Sequence, residues 1–137
     1  MKRVTAQWVR KAEADYALAK LAHKAKPPFY DSICFHCQQS AEKFLKALLQ
    51  ESGQVTPRTH NLVELLNRLV SADASLGTLR VGLKSLTQYA VDYRYPGFSA
   101  NARKAQAALR WAERLRRECR LHLGLSAEPR RPRRKPP

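Results

Sequence analysis

Apolar residues return every three or four positions through most of the chain, and runs of Val, Ile and Thr are few. Trp8, Ala12, Tyr16 and Ala19 share one stripe, widened by Leu18 and Leu21. They predict a helix from about Thr5 to Ala25, with Thr5 as its N-cap and Pro27-Pro28 as its stop. Cys34, Cys37, Ala41, Phe44, Leu45, Leu48 and Leu49 define a second helix, from Asp31 or Ser32 to Glu51 or Ser52, with Gly53 just past its end. QVTPRTH, residues 54–60, reads as a loop. Leu62, Leu65, Leu66 and Leu69 predict a short third helix over about Asn61 to Ala72, followed by a break at Ser71 to Ser75. Leu76, Leu79, Leu83, Leu86, Ala90 and Tyr93 form the seam of a fourth, about Leu76 to Val91. Pro96-Gly97 forces a turn, and Ser99 can cap a fifth helix of roughly Ala100 to Leu123. Its inner stripe is Ala105, Ala108, Leu109, Ala112, Leu115, Cys119 and Leu123, and Gly124 stops it. Short links between long helices make neighbours antiparallel. The expected architecture is all-α: an antiparallel up-and-down bundle of four main helices plus a short one.

Composition agrees, since Ala, Leu, Lys, Arg, Glu and Gln, the helix formers, dominate. At 137 residues the chain is long enough for one domain with its own core. Charge adds more. The net charge is +15, and RRPRRKPP, residues 130–137, supplies part of it. That Pro- and Arg-rich end cannot build a core, so residues 126–137 read as a disordered basic tail after a domain of residues 1–125. The domain alone keeps about +11 of the charge, which points to a polyanionic partner or to a solubilising basic surface. The N-terminus lacks the continuous apolar region of a secretory signal, and no run has the length of a membrane span. Three cysteines, an odd number, then fit a cytoplasmic protein with reduced thiols.

Cys34 and Cys37 have the C-x-x-C spacing of metal and redox sites. On a helix, however, they continue the stripe through Ala41 to Leu45 and Leu48, so they read as core. His36 is turned about 100° from Cys37 by helix geometry and cannot easily share a metal with both thiols. No second paired motif supplies further ligands, so neither metal nor cofactor is expected.

Three polar features remain. His36, Gln39, Ser40 and Lys43, at i, i+3, i+4 and i+7, line a stripe beside the core stripe, either a solvated face or the wall of a nucleotide or RNA groove. YAVDYRYPGFS, residues 89–99, gathers Tyr89, Tyr93, Arg94 and Tyr95 at a turn. Arg94 can stack on a base and pair a phosphate, or bridge to a carboxylate such as Asp92 or Glu42. His60, before the third helix, either caps that helix's start or borders an anion site.

Taken in order, W-x(6)-D-Y-x-x-A, C-F-H-C-Q-Q-S-A-E-K-F-L-K-A-L-L, T-H-N-L-V-E-L-L and D-Y-R-Y-P-G resemble the HEPN domain family (higher eukaryotes and prokaryotes nucleotide-binding domain) over about residues 5–123. The resemblance implies a compact antiparallel bundle that often dimerises. It also implies a nucleotide- or RNA-binding module, commonly the partner of a minimal nucleotidyltransferase in a toxin–antitoxin pair. The stripe, the turn and the helix start described above then make His36, Gln39, Lys43, His60, Tyr89, Arg94 and Tyr95 the candidate binding residues. Many HEPN domains are metal-independent ribonucleases with an R-x(4–6)-H motif before the last helix. Here no His follows Arg94 in that window, and the only matches, Arg116 and Arg117 with His122, lie late in an Arg-rich helix. A toxin endoribonuclease is therefore the alternative reading, with Arg94 and a non-standard base, His60 or His36, as the catalytic candidates.

Overall fold

The computed structural model describes residues 1–92 and 95–128, the side chains of residues 90–92 excepted. Its helices are α1 (Arg3–Lys24), α2 (Tyr30–Glu51), α3 (Leu62–Val70), a 3₁₀ turn (Ala74–Leu79), α4 (Arg80–Asp92) and α5 (Ala102–His122). The described residues contain no strand, and the protein is the all-α bundle the periodicity predicts.

α2 is the central element, packed by α1, α3, α4 and α5. Its apolar stripe, Ile33, Cys34, Cys37, Ala41, Phe44, Leu45, Leu48 and Leu49, is buried throughout. α1 runs antiparallel to it: Thr5 reaches Glu51 at one end, and the Phe29 amide donates to the Ala22 carbonyl at the other. α5 runs parallel to α2. Asp31 accepts from the Ala100 amide at 2.6 Å near their starts, and Leu48 and Glu51 share a cleft with His122 and Leu123 at their ends. α3 departs from the antiparallel rule. The loop after α2 doubles back, so α3 lies along the second half of α2 in the same direction. Gln38 donates to the His60 carbonyl at its start, and Leu69 lies beside Leu48 and Ser52 at its end. α4 returns against α3, with Thr87 accepting from the Leu62 amide and Arg80 bonding Asn67.

Several local expectations are corrected. Thr5 does not cap α1; it is buried inside the helix and donates to Glu51. Leu18 and Leu21 are 46% and 64% exposed, because α1 buries only Thr5, Val9, Ala12, Asp15 and Ala19. Leu76 and Leu79 sit on the 3₁₀ turn rather than on α4, after Asp73 takes the Ser75 amide and begins the tighter winding. Asn101, not Ser99, caps α5 by accepting from the Lys104 amide at 2.9 Å. Gly53 and Gly124 adopt the positive φ that ends α2 and α5.

The join of α4 and α5 needs Gly82. A β-carbon there would stand 2.0 Å from the Trp111 indole, so only glycine lets that ring lie on α4. The chain beyond α5 is also tied down. Arg120 donates to the Ser126 carbonyl at 2.7 Å, and Arg116 pairs with Glu128 at 3.0 Å.

Candidate functional site

Seven polar residues form a band along α2 beside the core stripe: Ser40, His36, Lys43, Gln39, Lys46, Glu42 and Gln38. Helical spacing places them side by side. The band faces α1 on one side and the loop before α3 on the other.

On the α1 side the band is organised by Asp15, a carboxylate on the buried stripe of α1. His36 Nδ1 lies 3.0 Å from one oxygen of Asp15, and the Lys43 ammonium bonds the other. Ser40 is fully buried and donates to the Ala12 carbonyl at 2.9 Å, so it holds the helix pair together and is not part of an open face. His36 and Lys43 keep about a quarter of their side-chain surface in water, 26% and 24%.

On the α3 side the centre is Glu42, a buried carboxylate 4% exposed. It accepts from Lys46 at 3.2 Å, from Gln38 at 3.4 Å and from His60 Nδ1 at 2.8 Å. Lys46, itself buried, lies 5.6 Å from the Trp8 ring centroid, which adds a cation–π contact to the pair. Gln38 also donates to the His60 carbonyl at 3.3 Å and so fixes the loop that carries the imidazole. Gln39 donates to Gln38 at 2.7 Å.

His60 is the distinctive member. Its side chain is 79% exposed while its partner carboxylate is 5% exposed. Nδ1 faces Glu42, and most of the ring lies in solvent. A loop imidazole is thus held by a buried acid of the helix that also carries part-buried His36, Gln39 and Lys43. Such a surface can accept a proton, donate to a phosphate oxygen, or contact a base edge.

Of the sequence-derived candidates, the structure joins His36 and Lys43 through Asp15, and Gln39 and His60 through Gln38 and Glu42. Tyr89 is half-buried against the core, and Tyr95 is 63% exposed at the turn after α4. Arg94, with Tyr93, lies outside the described residues. Sequence reasoning missed Asp15 as a site organiser, and it missed Gln38 and Lys46. It weighed Glu42 only as a partner for Arg94. A signal existed: Asp15 falls three residues after Ala12 and four before Ala19, on the core stripe, where a carboxylate requires a partner.

Cys34, Cys37 and Cys119 are free and fully buried. Burial pushes the Cys34 thiol up to about 12 and raises those of Cys37 and Cys119, so none is a thiolate nucleophile. Among the described residues no helix is long and apolar enough to cross a membrane.

Arg116 and Arg120 are buried on α5 and both bond Glu13 of α1, at 2.8 and 2.9 Å. The Arg116 guanidinium also lies 4.8 Å from the Tyr16 ring centroid. Arg116 is therefore a structural residue. His122 bonds Asp73 and the Glu118 carbonyl near the far end of the bundle. Of the R-x(4–6)-H matches of α5, Arg116 and His122 are thus each engaged by other partners.

Comparison with known proteins agrees with this architecture. A solved structure from Thermus thermophilus superposes with a TM-score of 0.71 at 28% identity, covering 84% of this chain and 94% of that one. A solved archaeal HEPN homologue superposes with a TM-score of 0.69 at 27% identity, covering 90% and 99%. No curated protein matches the chain. The family profile described as HEPN domain matches residues 5–122, nearly the whole described bundle, and the chain belongs to the HEPN domain family.

Proposed function

We propose that this HEPN domain binds a nucleotide or RNA at the polar band of α2 and serves as the partner of a minimal nucleotidyltransferase in a toxin–antitoxin type pair. The observation that carries the binding half is His60. Its imidazole is held by buried Glu42 and stays 79% exposed at the edge of the band that carries Lys43. A solvent-facing imidazole held by an internal acid exceeds what pairing Glu42 requires, since buried Lys46 already pairs it. It suits phosphate or base-edge recognition. The basic domain favours the same class of ligand. The partner half rests on family membership and on the resemblance of the sequence motifs. Fluorescence anisotropy with labelled nucleotides and short RNAs tests the first half. Co-expression with a minimal nucleotidyltransferase, followed by affinity capture of the complex, tests the second. Absence of binding in both experiments removes the proposal.

The same imidazole favours a second reading, a metal-independent endoribonuclease. A neutral imidazole facing solvent can take a 2′-hydroxyl proton, and Glu42 is placed to stabilise the imidazolium that results. Arg94 would supply the positive charge for the phosphate. RNA cleavage in EDTA that is lost in both His60→Ala and Arg94→Ala is the expected result. An unchanged rate in either variant rules out that residue's assignment.

A further inference from the structure

α5 sorts its arginines by face. Arg116 and Arg120 point inward and share Glu13, and Arg116 also pairs with Glu128. Arg103, Arg110, Arg114 and Arg117, at i, i+7, i+11 and i+14, lie on the opposite, exposed stripe. Among the described residues, Arg110, Arg114 and Arg117 have no ion pair. They line a shallow groove of about 420 Å3 together with Glu113, Glu118 and Leu121. By helix rise the three span about 10 Å, and Arg103 extends the row to about 21 Å. The Arg114 guanidinium lies 5.4 Å from the Trp111 ring centroid, a contact that orients its fork.

We propose that this outer ridge of α5 is a second RNA-contact surface, which grips the phosphate backbone without reading bases. The inference rests on the RNA-binding reading above but on different residues.

Three features point to a nucleic-acid backbone. First, the neighbouring surface has the same sign. Glu13 ties α1 to α5, and α1 exposes Arg10, Lys11 and Lys20 while neither of its carboxylates is exposed. Second, the end of the described chain is anchored here. Arg116 holds Glu128, the last described residue, and the sequence beyond it carries five basic residues over 130–135. Third, the groove lacks an apolar centre. Leu121, 55% exposed, is the only large hydrophobic residue in its lining. A protein partner needs a desolvated apolar core, whereas backbone binding of RNA is polar and basic. Glu113 and Glu118 thin the charge of the groove, and a flexible single strand can route its phosphates past them.

The test uses the full chain and a short, unstructured, labelled RNA, with affinity measured by anisotropy across a salt series. Arg110→Gln/Arg114→Gln/Arg117→Gln is compared with wild type. Loss of three phosphate contacts should lower the slope of log K against log salt by about 2 and weaken all RNA sequences alike. The matching triple Lys variant should keep most of the slope. If the triple Gln variant does not fold by circular dichroism, each single Gln variant should lower the slope by about 0.7. An unchanged slope in folded variants overturns the ridge. Polyglutamate binding equal to that of RNA also overturns it and reassigns the surface to acidic proteins. Mononucleotide binding by wild type and His60→Ala separates the two claims. If the ridge variants are inert and His60→Ala fails to bind, the α2 site stands alone. If the ridge variants lose RNA and His60→Ala is unaffected, the α2 site falls and the ridge stands. If wild type binds no RNA, the ridge falls.

Discussion

At the scale of single residues, the site is built from two buried acids and the bases they hold. Asp15 and Glu42 are 8% and 4% exposed, and each is satisfied by two cationic or imidazole partners. Removing a buried carboxylate strands its partners. Glu42→Ala leaves Lys46, a 7% exposed ammonium, with no counter-ion. We expect a loss of about 3 kcal/mol in chemical denaturation, since breaking a buried pair from one side is costly. His60→Ala should change stability by less than about 1 kcal/mol, because its ring is largely in water. A large destabilisation by His60→Ala would show that the imidazole is structural. These pairs were not legible in the sequence. Glu42 and His60 are 18 positions apart, and they meet only because the loop after α2 doubles back. Asp15 meets His36 and Lys43 across a helix pair whose register no single stripe specifies. What could be read was the candidate set on α2, since i, i+3, i+4 and i+7 spacing fixes a face whatever packs on it.

At the scale of elements, helix existence was legible and helix ends were less so. The 3.6 period marks a buried stripe strongly, and every residue of the α2 and α3 stripes is buried as expected. Ends depend on caps, where Asn101 outcompetes Ser99, and on tertiary contacts, where Thr5 serves Glu51. The direction of α3 was invisible because a loop of that length permits either return. Two predictions belong here. Gly82→Ala forces a methyl into the Trp111 ring and should cost about 1–3 kcal/mol, with a shift in tryptophan emission. Wild-type emission and stability in that variant would contradict the packing of α4 on α5. The second concerns His122, whose pKa is raised by the Glu118 carbonyl and further by Asp73. A proton held more tightly in the folded state adds stability that is complete below the ordinary histidine value of about 6.5. That contribution fades as pH rises through the higher folded value. The melting temperature should therefore decline over this range, and His122→Gln should flatten the decline. A flat wild-type profile would contradict the pairing of α5 with the turn before the 3₁₀ helix.

At the scale of the whole molecule, a basic HEPN bundle presents a polar band on α2 and an arginine ridge on α5, and the two are chemically distinct. The band has buried acids with positioned bases, which suits recognition of a particular group. The ridge has exposed guanidiniums without ion pairs among the described residues, which suits length and charge. Fold class and family were legible because periodicity and ordered motifs survive without coordinates. The ligand was not, because the contacts that make His60 unusual are long-range. The central claim is that His60 contacts a nucleotide or RNA. The most direct test is anisotropy of a labelled nucleotide and a short RNA with wild type and His60→Ala, in EDTA, at fixed salt. The account predicts saturable binding by wild type and a loss of about tenfold or more in a variant whose helical signal and melting temperature are unchanged. Equal affinity for the two proteins, or no binding by wild type, would contradict it.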